Sequence, residues 1–257
     1  MTIQTIARNQ MSEAMNRVSS GYRINSAADD AAGLAIVENM TAQVRSLDQG
    51  VRNTRDMQAM IDTAEGGLAG VNDSLNRIRE LSVQGLNDIN TPAQRAIIAN
   101  EIDQLAQGIQ DQVRNLQFNS TNLLDGSVQN ANTASSPDGT GAQVTINDMS
   151  DIARAMTAIA EDRSFDLNAI DAAAAQVTAE RAPLGALSNR MDYTANANTI
   201  SSLNLADARS RIADADIANE MRAVTSERVL NEIQVLMQRN EQDQVEENRQ
   251  RVLQTGA

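Results

Sequence analysis

Apolar residues recur three and four positions apart along most of the chain, a spacing that predicts amphipathic helices. The first stripe is narrow and predicts a helix that ends near residue 18; its members are Ile3, Ala7, Met11, Ala14 and Val18. A longer stripe with heptad spacing predicts a helix from residue 30 to about residue 86, with a phase shift at Thr54 and Gln58. Because the first stripe is narrow and its helix is short, that helix should be ordered only by packing on a partner helix.

Start signals predict where the later helices begin. Thr91, followed by Pro92 and Gln94, forms a capping box with proline at the first helical position. Asp166 is expected to cap the last long helix, whose heptad positions continue from residue 170 to residue 219. A shorter helix before it is marked by its apolar residues, Ile152, Met156 and Ile159.

Short non-helical signals interrupt this pattern. Residues 118–126 are rich in turn-forming residues, and residues 127–141 are expected to form a polar surface loop. Residues 144–146 alternate like a strand and are expected to pair with residues 123–124, which would give one small β-hairpin. Pro183 lies inside the last long helix and should kink it, since proline removes one backbone hydrogen bond.

Residues 19–33 lie between the first two stripes and are predicted to form a hinge. Glycine tolerates the left-handed backbone conformation that ends a helix. Side-chain oxygens further along the segment are placed to accept hydrogen bonds from the free N–H groups of the next helix. The predicted hinge residues are Gly21, Arg23, Asn25, Asp29 and Asp30.

The composition favours long helices over an aromatic globular core, because the 257 residues include two Phe, two Tyr and no Trp. The predicted fold class is mainly all-α: a long, coiled-coil-like helical bundle in the form of a rod, with one small β-hairpin. With 34 acidic and 21 basic residues the formal net charge is −13, which disfavours binding to nucleic acid or to an anionic membrane surface. No window holds the ~18 apolar residues of a membrane span, and the start lacks the features of a cleavable signal peptide.

The residue types also argue against an enzyme. The chain has no His and no Cys, so it lacks the groups of an ordinary catalytic triad, a thiol nucleophile or a usual zinc site. No glycine-rich phosphate loop precedes a helix. The acidic pairs at residues 29–30 and 246–247 are interpreted as a helix cap and a solvated tail. We therefore expect no catalytic residue, no cofactor and no metal.

Several long motifs resemble those of bacterial flagellins. Residues 18–36 have the sequence V-S-S-G-Y-R-I-N-S-A-A-D-D-A-A-G-L-A-I, which is similar to the signature of that family. Further similar segments follow in the family's order, at residues 77–84, 117–119, 123–126, 180–191 and 204–216. The resemblance covers about residues 10–127 and 165–237, and motifs of this length in this order are specific.

The resemblance implies a structural subunit that self-assembles into the bacterial flagellar filament for motility. It implies export of the unfolded chain, an extracellular location, and the flagellar cap, hook-junction proteins and an export chaperone as partners. It also implies an inner domain built from both chain ends and an outer helical domain. The expected segments are an inner helix with the hinge, two outer-domain halves around a short variable loop, hairpin and helix, and an inner helix with a polar tail: residues 1–30, 31–126, 127–164, 165–218 and 219–257.

The resemblance also points to two sets of site residues. By motif position, Arg77, Leu81 and Glu101 match residues through which flagellins engage the flagellin-sensing Toll-like receptor. The same surface packs between subunits in the family, and the plainer interpretation is that Leu81 is partly core while Arg77 and Glu101 form an exposed pair. Apolar residues expected to be covered only on assembly are Ile3, Met11, Val18, Ile233 and Leu236. Those expected inside the subunit are Val37, Val44, Leu68, Leu75, Ile102, Ile109, Leu184 and Leu205.

Two other functions stay open. A junction protein between hook and filament has the same fold, although the unmodified S-A-A-D-D-A-A-G-L-A motif argues against it. A secreted, poorly polymerising ligand of host receptors is the second alternative, because both ends differ from the family pattern. The apolar start is shortened, and the last residues are polar where the family has an apolar, Leu-rich tail.

Overall fold

The structure is a computed structural model that describes the backbone of residues 3–255 and the side chains of residues 9–249. Its elements in chain order are α1 (Ile3–Ser20), α2 (Ala27–Gly85), α3 (Pro92–Asn115), β1 (Gln117–Phe118), β2 (Thr121–Asn122), β3 (Ala131–Ala134), β4 (Gly141–Val144), α4 (Ser150–Asp162), α5 (Leu167–Ala213) and α6 (Ile217–Thr255). The expected fold class, mainly helical with a small β-hairpin, is confirmed. The described backbone contains two short antiparallel strand pairs where one was expected.

The chain divides into two compact units. Unit 1 contains residues 1–43 and 203–257, so it holds α1 and α6 with the adjoining parts of α2 and α5. Unit 2 contains residues 44–202, which include the remainder of α2 and α5 together with α3, α4 and the two strand pairs. The five segments expected from the sequence stay a prediction.

Unit 2 is built around one apolar core to which α2, α3, α4 and α5 all contribute. Burying an aliphatic side chain stabilises a fold by about 1.5–3 kcal/mol, so this core is the main source of the stability of unit 2. Val37, Val44 and Leu205 are half-buried and do not belong to it. The other residues expected inside the subunit are buried there: Leu68, Leu75, Ile102, Ile109 and Leu184.

Local signals set two of the helix starts as expected. Thr91 Oγ1 accepts a hydrogen bond from Gln94 N, and the Gln94 side chain accepts one from Thr91 N, which completes the capping box. Asp166 Oδ1 accepts from Asn168 N at 2.9 Å and caps α5. α5 continues through Pro183, whose ring is exposed, and a kink at this residue stays a prediction.

The larger hairpin lies elsewhere than the sequence suggested. β3 pairs antiparallel with β4, so its first strand lies inside the segment expected to be a loop. The predicted pairing of residues 144–146 with residues 123–124 is wrong, because Val144 pairs with Ala131 and Ile146 N donates to Val128 O.

Amide side chains hold this hairpin on the helices of unit 2. Asn53 Nδ2 donates to Ala134 O at 2.8 Å, and Asn198 Nδ2 donates to Ser135 O at 2.7 Å. At Gly50 a Cβ atom would lie 2.2 Å from Ser135 O, so a side chain here would force the hairpin away from α2. The position of the hairpin therefore depends on residues from two distant parts of the chain.

The predicted last long helix is two helices. α5 ends at Ala213 and α6 begins at Ile217, so the prediction of one helix running through residue 219 is wrong. Asp216 Oδ1 accepts hydrogen bonds from Ala218 N and Asn219 N, both at 3.1 Å, and so caps α6. α6 extends to residue 255, so its polar C-terminal part is helical.

Candidate assembly surface

The predicted hinge is tied to the link between α5 and α6 within unit 1. Arg23 N donates to Ala213 O at 2.6 Å, and the Arg23 guanidinium donates to Ile212 O at 2.6 Å. Ala215 N donates to Gly21 O at 2.9 Å, and Gly21 has the positive φ of +73° that ends α1. Carbonyl groups left free at the end of α5 are thus satisfied by the hinge segment.

Two aspartates of the hinge segment fix the backbone just before the main part of α2. Asp29 accepts hydrogen bonds from Asn25 N, Ser26 N and Ser26 Oγ, and these, led by the bond from Asn25, lower the pKa of its carboxyl group. Asp30 has an extended backbone, and its Oδ1 accepts from Gly33 N at 2.8 Å, so it caps the main part of α2. The capping role expected for Asp30 is confirmed, and a hinge motion at this segment stays a prediction.

α1 packs against α6 in unit 1. Arg17 pairs with Glu220 near the start of α6, with 3.6 Å between Nη1 and Oε1. Met11, nearly two turns earlier in α1, lines a groove together with Val235, much further along α6. The two helices therefore run antiparallel. Among the side chains of the two helices that the structure describes, the best-buried apolar ones are Ala14 and Val224.

An open apolar groove lies along α1 and α6. We call its apolar residues the groove: Met11, Met15, Val224, Val235 and Leu236. Met15 is 53% exposed and Leu236 is 59% exposed, so none of the side chains described at residues 9–249 fills the groove. Polar residues at its border are Arg228, Asn231 and Glu232.

The other side of α6 is apolar as well. Leu230, Ile233 and Met237 are 48%, 47% and 59% exposed, and their spacing of three and four residues forms one stripe. At about 100° per residue, this stripe faces roughly away from Val224 and Val235, which line the groove. We call Leu230, Ile233 and Met237 the ridge. A contiguous exposed apolar stripe of this kind is typical of a surface that another chain covers.

The residues predicted to be covered on assembly fall on both surfaces. Met11 and Leu236 belong to the groove, whereas Ile233 belongs to the ridge. Val18 is half-buried near the end of α1. The side chain of Ile3 lies outside the described residues.

The residues matched to receptor recognition lie in unit 2. The Arg77 guanidinium donates to Glu101 Oε1 and to Glu80 Oε2, both at 3.0 Å, and the bond to Glu101 is the main reason why the pKa of Arg77 is raised. Arg77 and Glu101 are exposed, but Leu81 is 2% exposed and lies in the core, three residues after the buried Ile78. The geometry thus matches the plainer interpretation, and receptor recognition stays a prediction.

Two family models match the chain. The model described as the bacterial flagellin N-terminal helical region matches residues 1–129, and the one described as the C-terminal helical region matches residues 167–252. This chain belongs to the bacterial flagellin family.

Individual flagellins agree with this assignment. A flagellin of Halalkalibacterium halodurans is 41% identical over 247 residues, which cover 92% of this chain and 90% of that protein. A flagellin of Bacillus subtilis is 36% identical over 273 residues, which cover 90% of this chain and 89% of that protein. The chain is therefore a structural subunit of the flagellar filament.

A solved structure shows the same fold. It is a Vibrio parahaemolyticus protein described as flagellar hook-associated, with a TM-score of 0.60 and 17% identity, covering 72% of this chain and all of the other. At this identity the likeness concerns the fold alone. Between residues 3 and 255 of this flagellin-family chain, no helix combines the length and apolar character needed to cross a bilayer.

The sequence interpretation missed a second set of exposed apolar residues in this flagellin. Val83, Leu86, Ile89 and Ile97 lie near the link between α2 and α3 and are 51%, 50%, 88% and 67% exposed. The signal was present, because none of the four continues the stripe that places Ile78 in the core. Unit 2 therefore leaves these four apolar side chains in contact with water.

Proposed function

We propose that this subunit associates with further copies of itself by inserting the ridge of one copy into the groove of the next. The ridge and the groove are different faces of α6: Val224 and Val235 of the groove lie roughly opposite the ridge, and Leu236 lies between them. A contact between the two faces is therefore heterologous. Such a contact leaves a free ridge at one end and a free groove at the other. Unless it closes into a ring, it continues as an open helical filament.

The exposure of the ridge carries this proposal. About half of each of its three side chains stays in contact with water in the single chain. Removing apolar surface from water is favourable by roughly 25 cal/mol per Å², so each added copy gains free energy. The border of the groove adds a charged pair, Arg228 and Glu232 at 3.6 Å, which surrounds the apolar contact with a polar rim.

Seeded polymerisation of Leu230→Gln/Ile233→Gln tests the contact. Glutamine keeps helix propensity but puts an amide into the ridge, so we expect the critical concentration for assembly to rise by about tenfold or more. Sedimentation and electron microscopy measure assembly, and circular dichroism checks the helix content. Val245→Gln is the matched control, since Val245 is also apolar, on α6 and exposed, but belongs to neither face. Unchanged assembly of the double variant would contradict the proposal.

Electron microscopy also separates the alternative functions. Helical filaments of the wild type support the filament subunit, a closed ring supports a junction protein, and a persistent monomer supports a poorly polymerising ligand. Membership of the flagellin family favours the filament, an extracellular position after export, and the flagellar cap, hook-junction proteins and an export chaperone as partners.

Receptor recognition remains a second candidate function because Arg77 and Glu101 form an exposed, hydrogen-bonded pair. Alanine substitution of both residues should lower signalling in a reporter assay for the flagellin-sensing Toll-like receptor. Arg79→Ala is the matched control, since Arg79 lies on the same helix in a similar exposed pair with Asp171. Leu81 is unsuited to this test, because its truncation would disturb the core.

A further inference from the structure

The methionines of this chain differ sharply in their exposure. The chain has eleven methionines and no cysteine. Met149, Met156 and Met191 of unit 2 are at most 1% exposed, whereas Met15, Met221 and Met237 of unit 1 are 53%, 47% and 59% exposed. The methionines of intermediate exposure are Met11, Met40, Met57 and Met60.

Two of the exposed methionines lie on the faces assigned to assembly, and the third lies beside one of these faces. Met15 lines the groove and Met237 ends the ridge. Met221 lines a shallow depression on α6 beside Val229 and Leu230, next to the start of the ridge. All three thioethers are therefore reachable by small reagents in a free subunit and would be covered when copies pack together.

Oxidation would change the character of these faces. A thioether sulfur attacks the outer oxygen of a hydroperoxide, so a sulfur–oxygen bond forms as the peroxide O–O bond breaks. With hydrogen peroxide the sulfur is oxidised to a sulfoxide and the peroxide is reduced, its remaining oxygen leaving as water after proton transfer. A sulfoxide oxygen is a polar acceptor, and burying it without a donor is unfavourable. Cysteine, which would compete for the oxidant, is absent from the sequence.

We infer that Met15, Met221 and Met237 are an oxidation site at which peroxides block addition of the free subunit to a filament. This inference rests on the proposed contact between ridge and groove. It adds that assembly protects the same three residues, because the covered thioethers lose contact with the solvent. A filament already formed therefore keeps its methionines reduced at peroxide concentrations that inactivate the monomer.

Hydrogen peroxide treatment of the full-length protein tests the inference. Peptide mass mapping should find sulfoxide first at the three exposed positions, and the critical concentration for seeded assembly should rise about tenfold. The triple variant Met15→Leu/Met221→Leu/Met237→Leu keeps apolar side chains of similar size, and peroxide should leave its critical concentration at the value that this same variant has before treatment. Met57→Leu/Met60→Leu, with two half-buried methionines of unit 2, is the matched control and should remain sensitive.

The possible results distinguish failure of the oxidation site from failure of the contact between ridge and groove. The inference is overturned if mapping shows full oxidation of the three residues and wild-type assembly is unchanged. It is also overturned if peroxide inhibits assembly of the triple variant as strongly as that of the wild type. If the triple variant does not assemble even before oxidation, mapping of free and assembled wild type decides, and equal oxidation in both states overturns the inference. Failure of the untreated wild type to assemble would instead refute the proposed contact, and the inference with it.

Discussion

Unit 1 and unit 2 are built from similar amphipathic helices but bury them differently. In unit 2 the large residues Ile61, Leu75 and Ile102 have no exposed surface. Among the side chains of unit 1 that the structure describes, at residues 9–43 and 203–249, few apolar ones are buried, and α6 leaves Ile233 and Met237 about half exposed. Unit 2 therefore has the core of a self-sufficient fold, whereas the described part of unit 1 leaves much of its apolar surface in water.

This difference shows how one chain can combine a unit that is stable by itself with a unit suited to binding other copies. A helix pair with a narrow seam gains little burial, because each helix has only one neighbour. A helix that is apolar on two sides requires a second neighbour, and in the proposed contact a further copy of the chain supplies it. The stability of unit 1 should thus depend on protein concentration, while that of unit 2 should not.

The largest expected difference between the units comes from replacing one isoleucine with alanine in each of them. Ile109→Ala in unit 2 should lower the free energy of unfolding by about 2–5 kcal/mol, because it leaves a cavity in a closed core. Ile233→Ala in unit 1 should change the free energy of unfolding of the monomer by at most about 0.5 kcal/mol, since about half of that side chain is already in contact with water. Urea unfolding followed by circular dichroism measures both. Equal losses would show that unit 1 has a closed core after all.

Removal of helix caps should give a smaller effect that is local to each unit. Thr91→Ala removes the capping box of α3 and should lower the stability of unit 2 by about 1 kcal/mol. Asp30→Ala removes the cap of α2 in unit 1 and should act there by a similar amount. Native-state hydrogen exchange, read amide by amide, shows which unit loses protection. Loss of protection in both units from either substitution would mean that they unfold as one.

The smallest expected effect is that of pH in the neutral and alkaline range. The chain has no His and no Cys, and all its basic side chains are arginines, so no side chain with an ordinary pKa titrates between about pH 6 and pH 9. Thermal melting of either unit should therefore be nearly constant over this range. A clear change in melting temperature there would point to a strongly shifted carboxyl group.

Acid should lower the stability of unit 2 through two of its aspartates. Hydrogen bonds from Ser127 and Ser150 lower the pKa values of Asp125 and Asp148 in unit 2. The folded state then binds fewer protons than the unfolded state, so the stabilisation is present above about pH 4 and is lost as the pH falls through the folded pKa values. We expect Asp148→Asn to weaken this acid dependence of unit 2. An unchanged melting curve between pH 2.5 and 5 would contradict the assignment.

The sequence predicted those parts of the fold that depend on neighbouring residues. The Thr91 capping box and the Asp166 cap were found because each consists of a few adjacent residues. The heptad stripes placed Leu68 and Ile109 in the core for the same reason. What these signals share is that their partners lie within one or two helical turns.

The missed features depend on distant partners. The strand at residues 131–134 has a weak β pattern, and it is held by Asn53 and Asn198, which lie far away in the sequence. The break after α5 was hidden because apolar spacing continues across it, while the deciding contacts come from Tyr22 and Arg23. For the assembly surface, the sequence named Ile233 and Leu236 but did not show that Leu236 lines the groove with Met11 whereas Ile233 belongs to the ridge.

The contact of Arg23 with Ile212 joins residues that are 189 positions apart. When the chain folds, α1 consequently has no native partner until residues near the other end of the chain are available. Unit 2 can form its local contacts early, but unit 1 must wait for the final fifth of the polypeptide. In this order of events the two chain segments of unit 1 stay unstructured for longest. This suits a subunit whose contacts with other copies should form only after export.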